Sequence, residues 1–400
     1  MKHALLVLVA LALTVTVALA DDSLNVRFIG GAATPGTTYG IAVAGTHVYI
    51  GACEGGLRVV DISNPASPFE TGSWASADYA RGLAVSGDYA YVACGHSGLR
   101  VIDVSSPTNP TEVGAYGVLD YAWAVAVVGN YAYVADEEAG LCIINITNPR
   151  NPVFVGVCDT PGYAMSVAVS GDHVYVADLS GGLRVIDASN IQIPVEVGYY
   201  VTPDLAYRAA VSGDYVYMGD LASLRILNVS DPVSPTEVGF LATPSAPMGL
   251  VVVGNVAYLG EGSSGLHVTD VSNPAAPADV GFYYGPVLNG VAVSGPYIYC
   301  ATGTGLGIFQ YYGAGIEERP TRDERRIAPV ATIVRNVLLL PASGVERHAS
   351  SVLLDISGRK VLDLAPGAND VSRLAPGVYF VSERGAKNQE PRTVRIVIQH

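Results

Sequence analysis

The feature that most restricts how this chain can fold is that it repeats itself. The run Gly56-Leu57-Arg58-Val59-Val60-Asp61 returns from Gly98 to Asp103, from Gly140 to Asn145 and from Gly182 to Asp187. Weaker copies start at Ser223, Gly265 and Gly305. The Leu of the run stands at 57, 99, 141, 183, 224, 266 and 306, so the period is 40 to 42 residues. A unit of that length cannot bury an apolar face alone, and stacking of neighbours has to supply the core.

Each repeat predicts four short strands. Between 111 and 146 they read Thr111 to Tyr116, Trp123 to Val128, Tyr131 to Ala135 and Leu141 to Ile146. Ser-Gly-Asp turns at 86–88, 170–172 and 212–214 are hairpin signals. The GLRV run has adjacent apolar residues, such as Val101-Ile102, which suits a strand covered on both faces. Loops such as Ser63-Asn64-Pro65 then stop the ladder. Four strands in seven repeats predict an all-β fold, a seven-bladed β-propeller. The repeat region starts with a lone first run, Val26 to Gly30, and ends after a fourth run at Phe309. The N-terminal strand is therefore expected to close the last blade, removing an open edge and favouring a ring over an open solenoid.

The GLRV(V/I)D run and the Ser-Asn-Pro loop after it resemble the LVIVD-repeat family of exported bacterial proteins, over about residues 24–312. The resemblance implies a propeller and no established activity. Composition agrees with the strand reading. The chain holds 45 Gly and 24 Pro among 400 residues, too many breakers for a mainly helical protein. The net charge of −14 originates in residues 21–315, which carry −18 from eight basic residues, all Arg, against 26 acids, while residues 1–20 add +1 and residues 316–400 add +3. That excludes a phosphate-backbone binder.

The ends differ from the middle. Residues 1–20 read as a secretory signal peptide, with Lys2, an apolar run from Ala4 to Leu19, and cleavage expected between Ala20 and Asp21. The expected location is extracellular or on the outer-membrane surface, after passage through the periplasm, with no transmembrane segment in the mature chain. Residues 316–328 read as a charged linker. Residues 329–400 predict a small β-sandwich. Leu354-Asp355 through Val361, Gly367 through Val371 and Leu374 through Val381 resemble the type A C-terminal sorting domain of the type IX secretion system. The resemblance implies the type IX export machinery as a partner. It leaves removal of the tail open, because the ending Arg395-Ile-Val-Ile-Gln departs from the commoner Lys-rich finish.

Of the five cysteines, Cys142 and Cys158 are expected to form a disulfide. They occupy the positions taken elsewhere by Arg58 and Trp74, Arg100 and Tyr116, Arg184 and Tyr200, Arg225 and Leu241, and His267 and Tyr283, which the repeat spacing predicts to be cross-strand pairs. Cys53 and Cys94 are open to pairing, with Cys300 left over.

Catalytic signatures are scarce. The string Gly260 to Gly265 fits G-x-G-x-x-G but lies between two strands, which makes it a turn. Asn145 and Asn228 fit glycosylation acceptors, a pattern common by chance. The Asp61, Asp103, Asp187 and Asp270 series belongs to the repeat and is expected to accept backbone N–H bonds in its loop. Two blade-specific positions stand out. The residue before each inner strand reads Tyr39, Arg81, Trp123, Met165, Tyr207, Met248 and Asn289, a candidate ligand-binding face rich in interface residue types. The residue after the second strand is acidic in four successive repeats, at Asp136, Asp178, Asp220 and Glu261, a candidate site for a cation such as Ca²⁺ or a basic ligand. Three functions follow: a non-enzymatic scaffold gripping a protein, peptide or glycan; a secreted hydrolase or lyase using those acids with Arg81 or Tyr207; or a structural surface-layer component.

Overall fold

The computed structural model describes residues 23–313 apart from 77 and 118, together with the backbone of seven strands further on. Residues 41–311 fold into consecutive four-stranded antiparallel units. One of them runs Ala122–Val128, Tyr131–Asp136, Gly140–Asn145 and Val153–Cys158, from the inner to the outer edge. Six blades are built this way. The seventh takes its three inner strands from Leu288–Ser294, Tyr297–Thr302 and Gly305–Tyr311, and its outer strand from Val26–Ala33. The structure is thus all-β, a seven-bladed propeller closed by its N-terminal strand, with Val26 opposite Tyr311. Ser23–Leu24 adds a fifth strand to the outer edge of blade six. Asn25, at φ 54°, makes the turn between the two blades and donates to the Val280 carbonyl at 2.7 Å.

The core sits between blades rather than within them. Cys94, Val92 and Ala90 of blade two pack on Leu57 and Val59 of blade one. Equivalent clusters join each following pair. Ile50 and Val60 of blade one meet Tyr299 and Ile308 of blade seven and complete the circle. The third strand of each blade is covered on both faces, as its unbroken apolar run requires.

Two glycines of the repeat explain their persistence. The Gly opening the GLRV run has φ near +75° in four blades, and a Cβ there would lie 2.1–2.5 Å from a carbonyl oxygen at the end of the outer strand. The outer-strand Gly114 lies beside a bulge, and a Cβ on it would come within 2.1 Å of the Pro149 carbonyl in the next blade. Gly30 meets Pro65 in the same way, so the seam between blades seven and one is built like the others.

The repeat acids behave as loop caps. Asp61, Asp103, Asp187 and Asp270 each accept the backbone N–H two residues on, at 2.8–3.0 Å. Asn145 and Asn228 do the same for Thr147 and Ser230, so both acceptor-like strings are variants of this cap. Gly260 to Gly265 is the turn between Val256–Glu261 and Gly265–Asp270.

Two expectations need correction. The bulged outer strands slip the register by one, so Arg58 lies opposite Ser73 and Leu57 opposite Trp74. Cys142 accordingly faces Val157, and Cys158 faces Leu141. Because neighbouring side chains in a strand alternate, the two thiols point to opposite faces. Cys142 packs toward blade two and Cys158 toward blade four. No disulfide joins them, and all five cysteines are free thiols.

Residues 317–400 form a second compact unit. Thr332–Val334, Val337–Leu340 and Gly367–Asp370 pair in one sheet. Lys360–Leu364, Ser351–Leu354, Gly377–Glu383 and Arg392–Ile398 pair in another. The packing expected of a sandwich, the linker at 316–328 and the leader with its Ala20–Asp21 junction lie outside the described residues. Among the described residues no helix is long and apolar enough to cross a membrane.

Candidate functional site

The loops entering the inner strands and the loops after the second strands do share one end of the propeller. Single bridges join them from blade to blade: Cys53 to Ala80, Gly95 to Ala122, Glu137 to Ala164 and Leu179 to Ala206. Inner strands touch around the channel, where Gly40 donates its N–H to the Arg81 carbonyl at 2.7 Å.

Of the seven entrance residues, three gather. The Arg81 guanidinium carbon lies 4.0 Å from the Trp123 ring centroid and 5.3 Å from that of Tyr39. Two tyrosines not singled out by the repeat comparison complete the group, Tyr79 at 5.5 Å and Tyr121 at 5.6 Å. Arg81 Nε donates to the Tyr121 hydroxyl at 3.1 Å. Tyr121 in turn packs on Trp123 and on His96, whose Nδ1 lies 2.8 Å from the Asp120 carbonyl. Such stacking holds a guanidinium by its faces and leaves its N–H edges free. The Trp123 indole N–H is buried without a partner.

The other entrance residues do different work. Met165 and Asn289 are buried, and Asn289 Nδ2 donates to the Thr38 carbonyl at 2.8 Å, tying blade seven to blade one. Tyr207 and Met248 offer their carbonyls to Arg208, at 3.1 Å from Nη1 and 2.6 Å from Nε. Arg208 went unseen in the sequence reading. Comparing one residue further along would have found it, because that position otherwise holds Gly40, Gly82, Ala124, Ser166, Gly249 and Gly290. Burial lowers the Arg208 pKa to about 10; Tyr39 acts against this and the Arg81 charge adds to it.

The four acids are not gathered into a ligand site. All are at most 2% exposed, each held within its own blade. Asp136 accepts the N–H groups of Asp120 and Tyr121, and so shapes the loop carrying Tyr121 and Trp123. Asp178 accepts Thr160 Oγ1 at 2.6 Å and the Gly162 N–H at 2.8 Å in the next entrance loop. Asp220 accepts the Ala222 N–H, Ser223 Oγ and Arg225 Nε. Burial raises the pKa of Asp136 and Asp178 against these bonds. Among the described residues no three His, Cys, Asp or Glu side chains are grouped to hold a metal ion.

Behind the acids lies an ion-pair series the sequence reading also missed. Arg58, Arg100, Arg184 and Arg225 pair with Glu70, Glu112, Glu196 and Glu237 at 2.9–3.2 Å. The signal was an acid twelve residues after each Arg. Aromatic rings do flank two of these cations, Tyr199 by Arg184 and Phe240 by Arg225, one residue earlier than the repeat spacing implied. Blade six substitutes His267 between Glu261 and Asp279, at 3.8 and 3.5 Å. Blade three substitutes Cys142 and Phe154, which leaves Asp136 without a cation.

The comparisons agree with this architecture. The crystal structure of a computationally designed protein, Ika8, superposes with a TM-score of 0.53 at 12% identity, covering 72% of this chain and all of that one. At that identity the likeness speaks for the fold. No curated protein matches the sequence. The family model described as the LVIVD repeat matches six times, at 35–76, 77–118, 120–160, 161–202, 206–243 and 246–284. The matches cover more than half of the chain, which therefore belongs to the LVIVD repeat family.

Proposed function

We propose that this chain is an exported propeller that works as a binding scaffold, its ligand held at the end of the channel where the inner strands begin. One observation carries the reading. The repeat holds its framework from blade to blade, yet the entrance position varies, and three of its residues meet around one guanidinium. Arg, Trp and Tyr in such a cluster are the side chains that dominate binding hot spots. A surface-layer role needs no such asymmetry at the channel. The hydrolase or lyase reading draws on buried acids, three of which, Asp136, Asp178 and Asp220, are already engaged by hydrogen bonds within their own blades.

Export rests on the leader and on the likeness of residues 329–400 to a type IX sorting domain, a β-sandwich that would hand the chain to that machinery. N-terminal sequencing of protein from the medium and the cell surface tests this reading, which expects a start at Asp21.

Binding is tested by probing the purified chain against oligosaccharide and peptide arrays. Ligands are expected that are lost with Trp123→Ala and kept with Phe154→Ala on the outer rim. A ligand equally retained by both variants would place binding elsewhere.

A further inference from the structure

Residues 21–315 contain eight arginines, no lysine and 26 acids. In so acidic a ring a cation finds a counter-ion easily, and four of the arginines have one. Arg27 donates to the Gln310 side chain, and Arg150 lies exposed in a peripheral loop. The remaining two, Arg81 and Arg208, meet no carboxylate within ion-pair distance among the described residues. Both stand at the channel entrance, in blades two and five. Tyr39 connects them, packing on Arg81 and lying within electrostatic reach of Arg208.

Their hydrogen bonds are counted quickly. A guanidinium has five N–H donors. Arg81 spends Nε on Tyr121, and Arg208 spends Nε and one Nη1 donor on backbone carbonyls. The other donors have no protein acceptor among the described residues. The Arg81 charge acts against that of Arg208, and burial adds to the cost there. An anion between them removes both penalties.

We propose that the channel entrance binds the carboxylate of an acidic sugar, a uronate unit of an oligosaccharide, between Arg81 and Arg208. This rests on the reading of the entrance as the ligand-binding end, and names what it binds. The planar fork of each Arg matches a carboxylate. The sugar follows from the surroundings: Tyr79 is 40% exposed beside Arg81, and Tyr121 stands next to it. Aromatic faces of this kind offer a flat, amphipathic surface to a pyranose ring. An acidic peptide carries its carboxylates on flexible stems and loses more entropy on fixing them.

The test is titration calorimetry of the full chain with oligogalacturonate, its neutral methyl ester, and oligoglutamate. The acid form is expected to bind, and esterification or replacement by oligoglutamate to weaken binding at least about tenfold. Arg81→Met and Arg208→Met are each expected to weaken it roughly ten- to a hundredfold, with part regained in Arg208→Lys. Circular dichroism checks that each variant is folded, and the ester comparison needs no variant. Absence of binding, equal affinity for the ester or for oligoglutamate, or indifference to both Arg substitutions would overturn the proposal. A neutral array ligand lost with Trp123→Ala would also overturn it, while leaving the entrance as the binding end.

Discussion

Blade six contains a built-in pH dependence. Glu261 is 1% exposed, and neither of its oxygens has a hydrogen-bond partner. Burial pushes its pKa up to about 7, against the opposing charge of His267. Burial pulls His267 down, but Asp279 and Glu261 outweigh it and hold the imidazole above its ordinary value. Both groups thus bind protons more tightly folded than unfolded. Their stabilisation is complete at low pH and is lost as pH rises, through about 4.5 to 7 for Glu261 and beyond 6.5 for His267. From 4.5 to about 7, at 1.36 kcal/mol per unit, Glu261 alone accounts for about 3 kcal/mol.

The perturbation is Glu261→Gln, which keeps the shape and removes the proton. Urea unfolding at fixed ionic strength, followed by fluorescence of Trp74 and Trp123, gives stability at pH 5, 6, 7 and 8. The native chain should lose about 2.5 kcal/mol more than the variant from pH 5 to 8, with m unchanged. Asp172→Asn at an exposed hairpin turn controls for the loss of one negative charge. His267→Arg, the residue four other blades use, should flatten the slope by lowering the Glu261 pKa. Parallel stability curves for the native chain and Glu261→Gln would refute the reasoning.

Other measurements follow from the same packing. Under non-reducing, denaturing conditions thiol titration should count five free cysteines, and a disulfide-linked 142/158 peptide would contradict the register. In the folded chain Cys158 should alkylate first, because burial raises the Cys94 and Cys142 thiols to about 12 whereas Cys158 is only half buried. Gly114→Ala should destabilise by about 1–3 kcal/mol in urea unfolding, since its Cβ collides with the Pro149 backbone; an unchanged midpoint would show that the seam gives way. Phe309→Ala should cost about 3–5 kcal/mol by the same assay, because the ring is 1% exposed under the closing strand.

The propeller and its closure were legible in the sequence because repetition at a fixed period carries topology directly. The pairing of Val26–Ala33 with Gly305–Tyr311 followed from which strands were left without partners. What repetition hides is a uniform offset. Every outer strand carries a bulge, so comparing blades could not show that Arg58 pairs with Glu70 and not Trp74, nor that Cys142 and Cys158 diverge. The binding end was half legible. Tyr39, Arg81 and Trp123 broke the pattern visibly, and Arg208 broke it one position later, where only small residues otherwise fit between inner strands. The acids misled because residue type says nothing of burial: Asp136 and Asp178 look like ligands and act as supports for loops.

The closing strand also determines how the ring responds to force. Val26 lies opposite Tyr311, so once the short Ser23–Leu24 pairing on blade six is released the two ends leave blade seven at the same end of one antiparallel pair. A load between the two ends falls on a single rung of that ladder at a time, and the strands separate by unzipping rather than by shearing all rungs together. Blade seven is then the latch: once Val26–Ala33 peels away, Gly305–Tyr311 becomes an unprotected edge, the seam to blade one opens and the seam to blade six loses Val26 from its core, while the other five seams keep their packing.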